Sequence, residues 1–178
     1  SMEYTFYQLL WFFLVYSFLG WLMETALAAA KKGRLLNRGF LNAPFSPVYG
    51  LASILFAVFL PELRSAPFFL FVEGMILATA LELVTGMLLE RIFGQKWWDY
   101  SREPWNFNGH ICLKYSVVWG VLALLCMFVG NPLLITLTDW VPQAVGRIVL
   151  LVVLILLAID FVGSWAALLQ LNGSLKEP

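Results

Sequence analysis

Four carboxylic acids stand inside stretches that are otherwise apolar: Glu24, Glu73, Glu82 and Asp160. A charged side chain in the middle of a bilayer costs at least about 2.5–3.5 kcal/mol on insertion scales, so acids placed there are read first as functional groups. Glu24 precedes the basic residue Lys31, and Glu82 precedes Arg91. At about 1.5 Å per helical residue, both carboxylates fall on the order of 10–14 Å below one membrane edge. Asp160 lies slightly deeper on a later apolar stretch that runs toward the same edge. Three acids at one depth exceed what helix cohesion requires, since interhelical hydrogen bonds average only about 0.6 kcal/mol. Glu90 sits nearer the rim and about 80° around the helix from Glu82, so both can face one interior, whereas Glu73 is turned about 180° away. The expected site is a polar pocket lined by Glu24, Glu82, Asp160 and Lys114, with Arg38 at its mouth, suited to a small polar or cationic solute.

Two polar segments carry the remaining chemistry-bearing residues. Asn37-Arg38-Gly39 offers a bidentate cationic fork beside a flexible turn, which suits a carboxylate or phosphate; the same arginine also serves simply to orient the chain in a membrane. Asp99, Tyr100 and Ser101 could bind a solute or build a local turn. Asn106, Asn108 and Gly109 precede an apolar stretch, and a polar side chain there would cap its N-terminus, a place that also attracts anions. His110, the one histidine, could pair with Asp99 as acid and base. No nucleophile spacing accompanies that pair, which favours a non-enzyme. The intramembrane acids could also present oxygen ligands to a hard cation, although no metal is assigned.

These residues must be positioned by membrane helices. Of the 178 residues, 61% are apolar and 12% charged, against roughly 45–50% and about 25% in a soluble domain. Eleven Lys and Arg balance eleven Asp and Glu, so nothing points to nucleic acid and the partner is lipid. The length suits one domain. Continuous apolar runs favour an all-α bundle over a barrel, whose strands alternate. Five spans are expected, near residues 5–30, 47–61, 67–91, 111–130 and 147–171, with motif-rich loops at 31–46 and 92–110. The second is short and bounded by prolines, so it must borrow length from residues 40–46 or tilt little. Lys31, Lys32, Arg34, Arg38, Arg91, Lys96, Arg102, Lys114 and Lys176 fall at one end, and only Arg64 and Arg147 at the other. Since short cytoplasmic loops collect basic residues, the N-terminus is expected outside and the C-terminus in the cytosol, in a cell (inner) membrane. Residues 131–146, with Pro132, Trp140 and Pro142, read as an interfacial connection.

Gly20-Trp21 followed by Glu24, then Asn37-Arg38-Gly39-Phe40, Pro44 and Pro47-Val48-Tyr49-Gly50, form a distinctive pattern. It continues through Glu82, Thr85-Gly86, Leu89-Glu90, Phe93, Trp97-Trp98-Asp99-Tyr100-Ser101, Asn106-Phe107-Asn108-Gly109-His110-Ile111-Cys112-Leu113, Ser116 and Trp119-Gly120. Over residues 20–120 this resembles a family of small bacterial multi-pass membrane proteins labelled ABC-transporter permeases of type IV. The resemblance implies transport. The chain has no glycine-rich phosphate loop, so an ATPase would be a separate partner. A five-helix permease is small for a solute pathway, which favours a homodimer, and Gly163, Ala166 and Ala167 offer a small-residue face for it. Two other functions fit the same residues: a membrane enzyme acting on a lipid head group through Arg38 with His110 or Asp99, and a non-catalytic assembly subunit docking a cytosolic partner through its loops.

Overall fold

The computed structural model describes residues 3–33, 41 and 43–176. Arg38, with the rest of the Asn37-Arg38-Gly39-Phe40 motif, lies outside the described residues.

Helix α1 (Phe6–Lys32) starts where Thr5 and Gln8 exchange side-chain and backbone hydrogen bonds, a capping box, and stops at left-handed Gly33 (φ 71°). Helix α2 (Pro47–Phe59) opens on a proline, whose missing N–H is harmless in a first turn. After the 3-10 turn Pro61–Leu63, helix α3 (Pro67–Phe93) again opens on proline and closes on left-handed Gly94. A short antiparallel hairpin follows, β1 (Asn106–Phe107) against β2 (Ile111–Cys112), in the register Asn106 to Cys112 and Phe107 to Ile111. Helix α4 (Leu113–Leu125), a π turn (Cys126–Gly130) and α5 (Asn131–Asp139) run on as one apolar rod, and α6 (Gln143–Lys176) completes the bundle. Among the described residues, four helical stretches are long and apolar enough to cross a membrane: Phe6–Lys31, Pro67–Phe93, Leu113–Asp139 and Gln143–Leu171. The all-α membrane bundle expected from hydropathy is therefore the architecture.

The second expected span is built differently from the rest. At about 1.5 Å per residue, the 13 residues of α2 cover roughly 20 Å, short of a hydrocarbon core of about 30 Å. Residues 43–46, which precede it, are not helical. The Ser46 N–H donates to the Ser17 carbonyl at 2.9 Å, half-way along α1, while Arg64, just beyond α2, reaches Glu3 and Tyr4 at the start of α1. Thus α2 returns from mid-depth to the end of the bundle where α1 began. Buried Leu41 packs with Leu14, Leu150 and Leu157, and the Phe45 N–H donates to the Ala43 carbonyl. Irregular backbone at membrane depth survives only when protein covers it and satisfies its polar groups.

One boundary departs from expectation. Residues 131–139 do not form an interfacial connection but extend the fourth rod by more than two turns. Pro132 cannot donate to the preceding turn and would ordinarily end a helix. The π turn absorbs that loss, with the Asn131 N–H bonding back to the Cys126 carbonyl.

The core lies between α2, α3 and α4, where Phe56, Leu60, Leu70, Ala78, Trp119, Ala123 and Met127 are buried together. Glycines permit this closeness. A Cβ on Gly74 would overlap that of Ala123, and one on Gly50 would press on the Phe13 carbonyl at 2.6 Å. Helix α6 lies at the periphery, and a Cβ on Gly163 would meet nothing within 4 Å.

Candidate functional site

Glu24 on α1 and Glu82 on α3 converge through two aromatic rings. The Tyr49 hydroxyl donates to Glu24 Oε1 at 2.7 Å, and the Trp119 Nε1–H donates to Glu82 Oε2 at 3.3 Å. The Tyr49 and Trp119 rings pack at 5.1 Å between centroids, and the Glu24 charge acts on Glu82. Tyr100 completes the group from the loop after α3, its hydroxyl donating to Glu82 Oε2 at 3.2 Å and its ring stacking on Tyr115 at 4.8 Å. Partial burial and the neighbouring Glu82 carboxylate push the Tyr100 phenol up from its ordinary range, so it remains a donor at neutral pH. Glu82 is 6% exposed, and its second oxygen, Oε1, is buried with no hydrogen-bond partner among the described residues. Glu24 is exposed. The arrangement is one sequestered carboxylate and one accessible carboxylate, joined by an aromatic pair.

Local sequence explains this geometry. Gly20 lies directly under the Tyr49 ring, where a Cβ would overlap it, so α2 presses its first turn onto α1 one turn before Glu24. Tyr49 and Trp119 were not singled out as site residues from sequence. The available signal was chemical, since Tyr and Trp in an apolar stretch each carry a donor that must find a partner when buried.

Asp160 receives different partners. Its Oδ2 accepts the Ala43 N–H at 2.8 Å and its Oδ1 accepts the Ser164 hydroxyl at 3.2 Å. The carboxylate thereby holds the irregular segment before α2, the kind of backbone group that hydrocarbon would leave unsatisfied. Lys114 is exposed, with its Nζ 5.3 Å from the Tyr115 ring centroid. Glu73 is exposed on α3, as its angular offset implies.

A second cluster closes the basic-rich end. His110 Nε2 lies 3.1 Å from Glu90 Oε2, the Trp98 Nε1–H donates to the His110 carbonyl at 2.8 Å, and Gly86 leaves room for both side chains. His110 Nε2 thus lies against Glu90, while Asp99, a possible acid–base partner of His110 by sequence, takes other partners. Asp99 instead accepts the Ser101 hydroxyl and its N–H, the latter at 2.9 Å. The asparagines shape the hairpin and cap no helix. Asn106 accepts from the Gly109 N–H at 3.0 Å and donates to the Glu103 carbonyl, while Asn108 and Gly109 take left-handed φ of 52° and 73°. The residue at the start of α4 is Cys112, which makes no side-chain cap. A Cβ on Gly109 would displace the Lys96 Nζ and Ser101 Oγ ends, 2.7 and 2.8 Å away, but it is the left-handed φ that favours glycine there.

Between α1, α2 and the fourth rod runs an apolar groove of about 350 Å³. Leu19, Gly20, Met23, Phe56 and Val129 contribute to its walls, and Tyr49 and Trp119 line it where the carboxylates attach. Tyr16 and Gly130 also line it, beside buried Asn131, which accepts the Tyr16 hydroxyl at 2.7 Å next to the π turn. Among the described residues no group of three or more His, Cys, Asp and Glu side chains is placed to hold a metal ion.

The model of one protein family, "Putative ABC-transporter type IV", matches residues 11–165. The chain belongs to that family. No curated protein and no solved structure matches it. Family membership and the apolar helices make this a membrane protein related to transport. The matched residues of the type IV chain include Glu24, Tyr49, Glu82, Tyr100 and Trp119, as well as the Glu90–His110 cap.

Proposed function

We infer that the protein is a permease-like subunit that binds a small polar or cationic solute at Glu24 and Glu82, reached from the cytosol. The observation carrying this reading is the unpartnered Oε1 of buried Glu82, held beside the Tyr49–Trp119 pair with Glu24 within electrostatic reach. A carboxylate costs so much to bury that an uncompensated oxygen favours a bound donor or cation over a purely cohesive role. The bundle end carrying Lys31, Arg91, Lys96, Arg102 and Lys114 faces the cytosol in this reading, in keeping with the excess of basic residues there. Because the chain has no phosphate-binding glycine loop, ATP-driven movement requires a separate ATPase subunit, a partner consistent with the family.

The test is binding and uptake of a simple ammonium ion, methylammonium, by purified protein in nanodiscs and proteoliposomes. Glu82→Gln keeps shape and removes the charge, and it is expected to reduce saturable binding at least tenfold. Equal binding by the Gln variant would reject the site.

A further inference from the structure

Glu82 is closed off in this structure, with Oε1 fully buried. A solute reaches it only if one of its covers moves. Two side chains donate to the carboxylate, Trp119 from α4 and Tyr100 from the segment between α3 and α4. Trp119 belongs to the packed core of α2, α3 and α4, whereas Tyr100 belongs to no helix. The segment that carries it, residues 95–112, is built to move as one piece. The Tyr100 N–H donates to the Gly109 carbonyl at 2.8 Å, the Trp98 Nε1–H to the His110 carbonyl, the Lys96 ammonium to the Asn108 carbonyl and the Asn106 amide to the Glu103 carbonyl. Swinging the segment as a unit leaves all of these groups satisfied. It starts at Gly94, left-handed at φ 73°, whose backbone freedom suits a hinge. At the other end the Trp105 carbonyl accepts the Leu113 N–H, which makes the start of α4 the second pivot.

Where the segment rests on α3, it does so at carboxylates. The Tyr100 hydroxyl holds Glu82, and His110 Nε2 stands 3.1 Å from Glu90 Oε2, about two turns further along the same helix. The Tyr100 ring also stacks on Tyr115 of α4. Single side-chain contacts of this kind contribute little net free energy, and segments held by them open locally while the core stays folded. We propose that residues 95–112 are a cytosolic lid over the buried carboxylate, latched by Tyr100 on Glu82 and by His110 on Glu90, and that a solute enters when both latches release. The proposal rests on the solute-binding reading above and adds the step that regulates access to that site.

Spin labels at Arg102→Cys on the lid and Ile76→Cys on α3, both exposed positions, read the motion as an inter-label distance in nanodiscs without any solute. The chain with both latches intact is expected to give one dominant distance, and Tyr100→Phe combined with Glu90→Gln a second, longer one. A single unchanged distance in that doubly substituted chain would overturn the lid. Glu90→Gln alone leaves the Tyr100 and Trp119 bonds to Glu82 in place, and in stopped-flow it should raise the methylammonium association rate by about threefold or more, the effect of losing one polar contact. Bridging Glu90→Cys to His110→Cys with a short reducible linker should stop association, and reduction should restore it, which also reports that the bridged chain is folded. If the bridged chain associates with methylammonium at the unbridged rate while Glu82→Gln abolishes binding, the solute site stands and the lid is overturned. If no form binds methylammonium, the solute reading fails, and the second distance, present or absent, decides the lid by itself.

Discussion

Asp99 shows how one side chain can be removed from the chemistry it suggests. Its carboxylate accepts the Ser101 hydroxyl and N–H, and these bonds, with Lys96 at 3.8 Å, hold its carboxyl below the usual range. The folded value thus lies below the unfolded one of about 3.9, so the turn has this support above that pH and loses it as the pH falls through the folded value. In an NMR titration the Ser101 amide resonance is therefore expected to move only below about pH 4, and Asp99→Asn should abolish that movement. A resonance that is flat in the native chain, or that still titrates in the variant, would remove Asp99 from this role. Glu82 is the opposite case, a buried acid with one oxygen fully engaged and the other waiting for a donor among the described residues.

Between elements, the decisive feature is how closely α2 sits on α1. Gly50 allows it, because a Cβ there would fall 2.6 Å from the Phe13 carbonyl, a backbone atom that cannot swing aside. Gly50→Ala should lower stability by about 1–3 kcal/mol, the usual range for overpacking, in a reversible detergent unfolding titration. Gly163→Ala, with nothing within 4 Å, should cause no loss in the same assay. The irregular segment before α2 has a similar dependence on Asp160, which accepts the Ala43 N–H. In an Ala43→Cys background, Asp160→Ala should accelerate maleimide labelling at position 43 several-fold as that segment loosens. An unchanged rate would mean that packing around Leu41 and Phe45 holds the segment without the carboxylate.

For the molecule as a whole, antiparallel succession puts both termini of the bundle at opposite ends once residues 43–46 and α2 are counted as one crossing. Trp105 (82% exposed) then marks the basic-rich end and Trp140 (75% exposed) the other. In intact cells, an impermeant maleimide should label Trp140→Cys and spare Trp105→Cys until the membrane is opened; the native Cys112 and Cys126 are buried and contribute little background. The reverse pattern would invert the bundle and put the acids nearer the external face. Helix α6 contributes mainly a lipid-facing surface to this assembly, with Leu151, Ile155, Ile159 and Val162 exposed.

Much of this was legible from residue type alone. Long apolar runs must become helices in lipid because no other open structure satisfies the backbone, and Thr5, Pro67, Gly33 and Gly94 mark their ends through φ preference and capping. That Glu24 and Glu82 share a depth is an expectation from sequence alone, since it needs only the count of residues to the basic edge. Depth could not separate Asp160 from them, because angular position around a bundle axis depends on which helices pack together. Nor could hydropathy reveal the π turn that carries the fourth rod past Pro132, the Glu90 contact that claims His110, or the pairing of Tyr49 with Trp119. Those are contacts between residues far apart in the chain, and only the packed helices, with their close approaches at Gly20, Gly50 and Gly86, choose among the partners that each donor and acceptor could have taken.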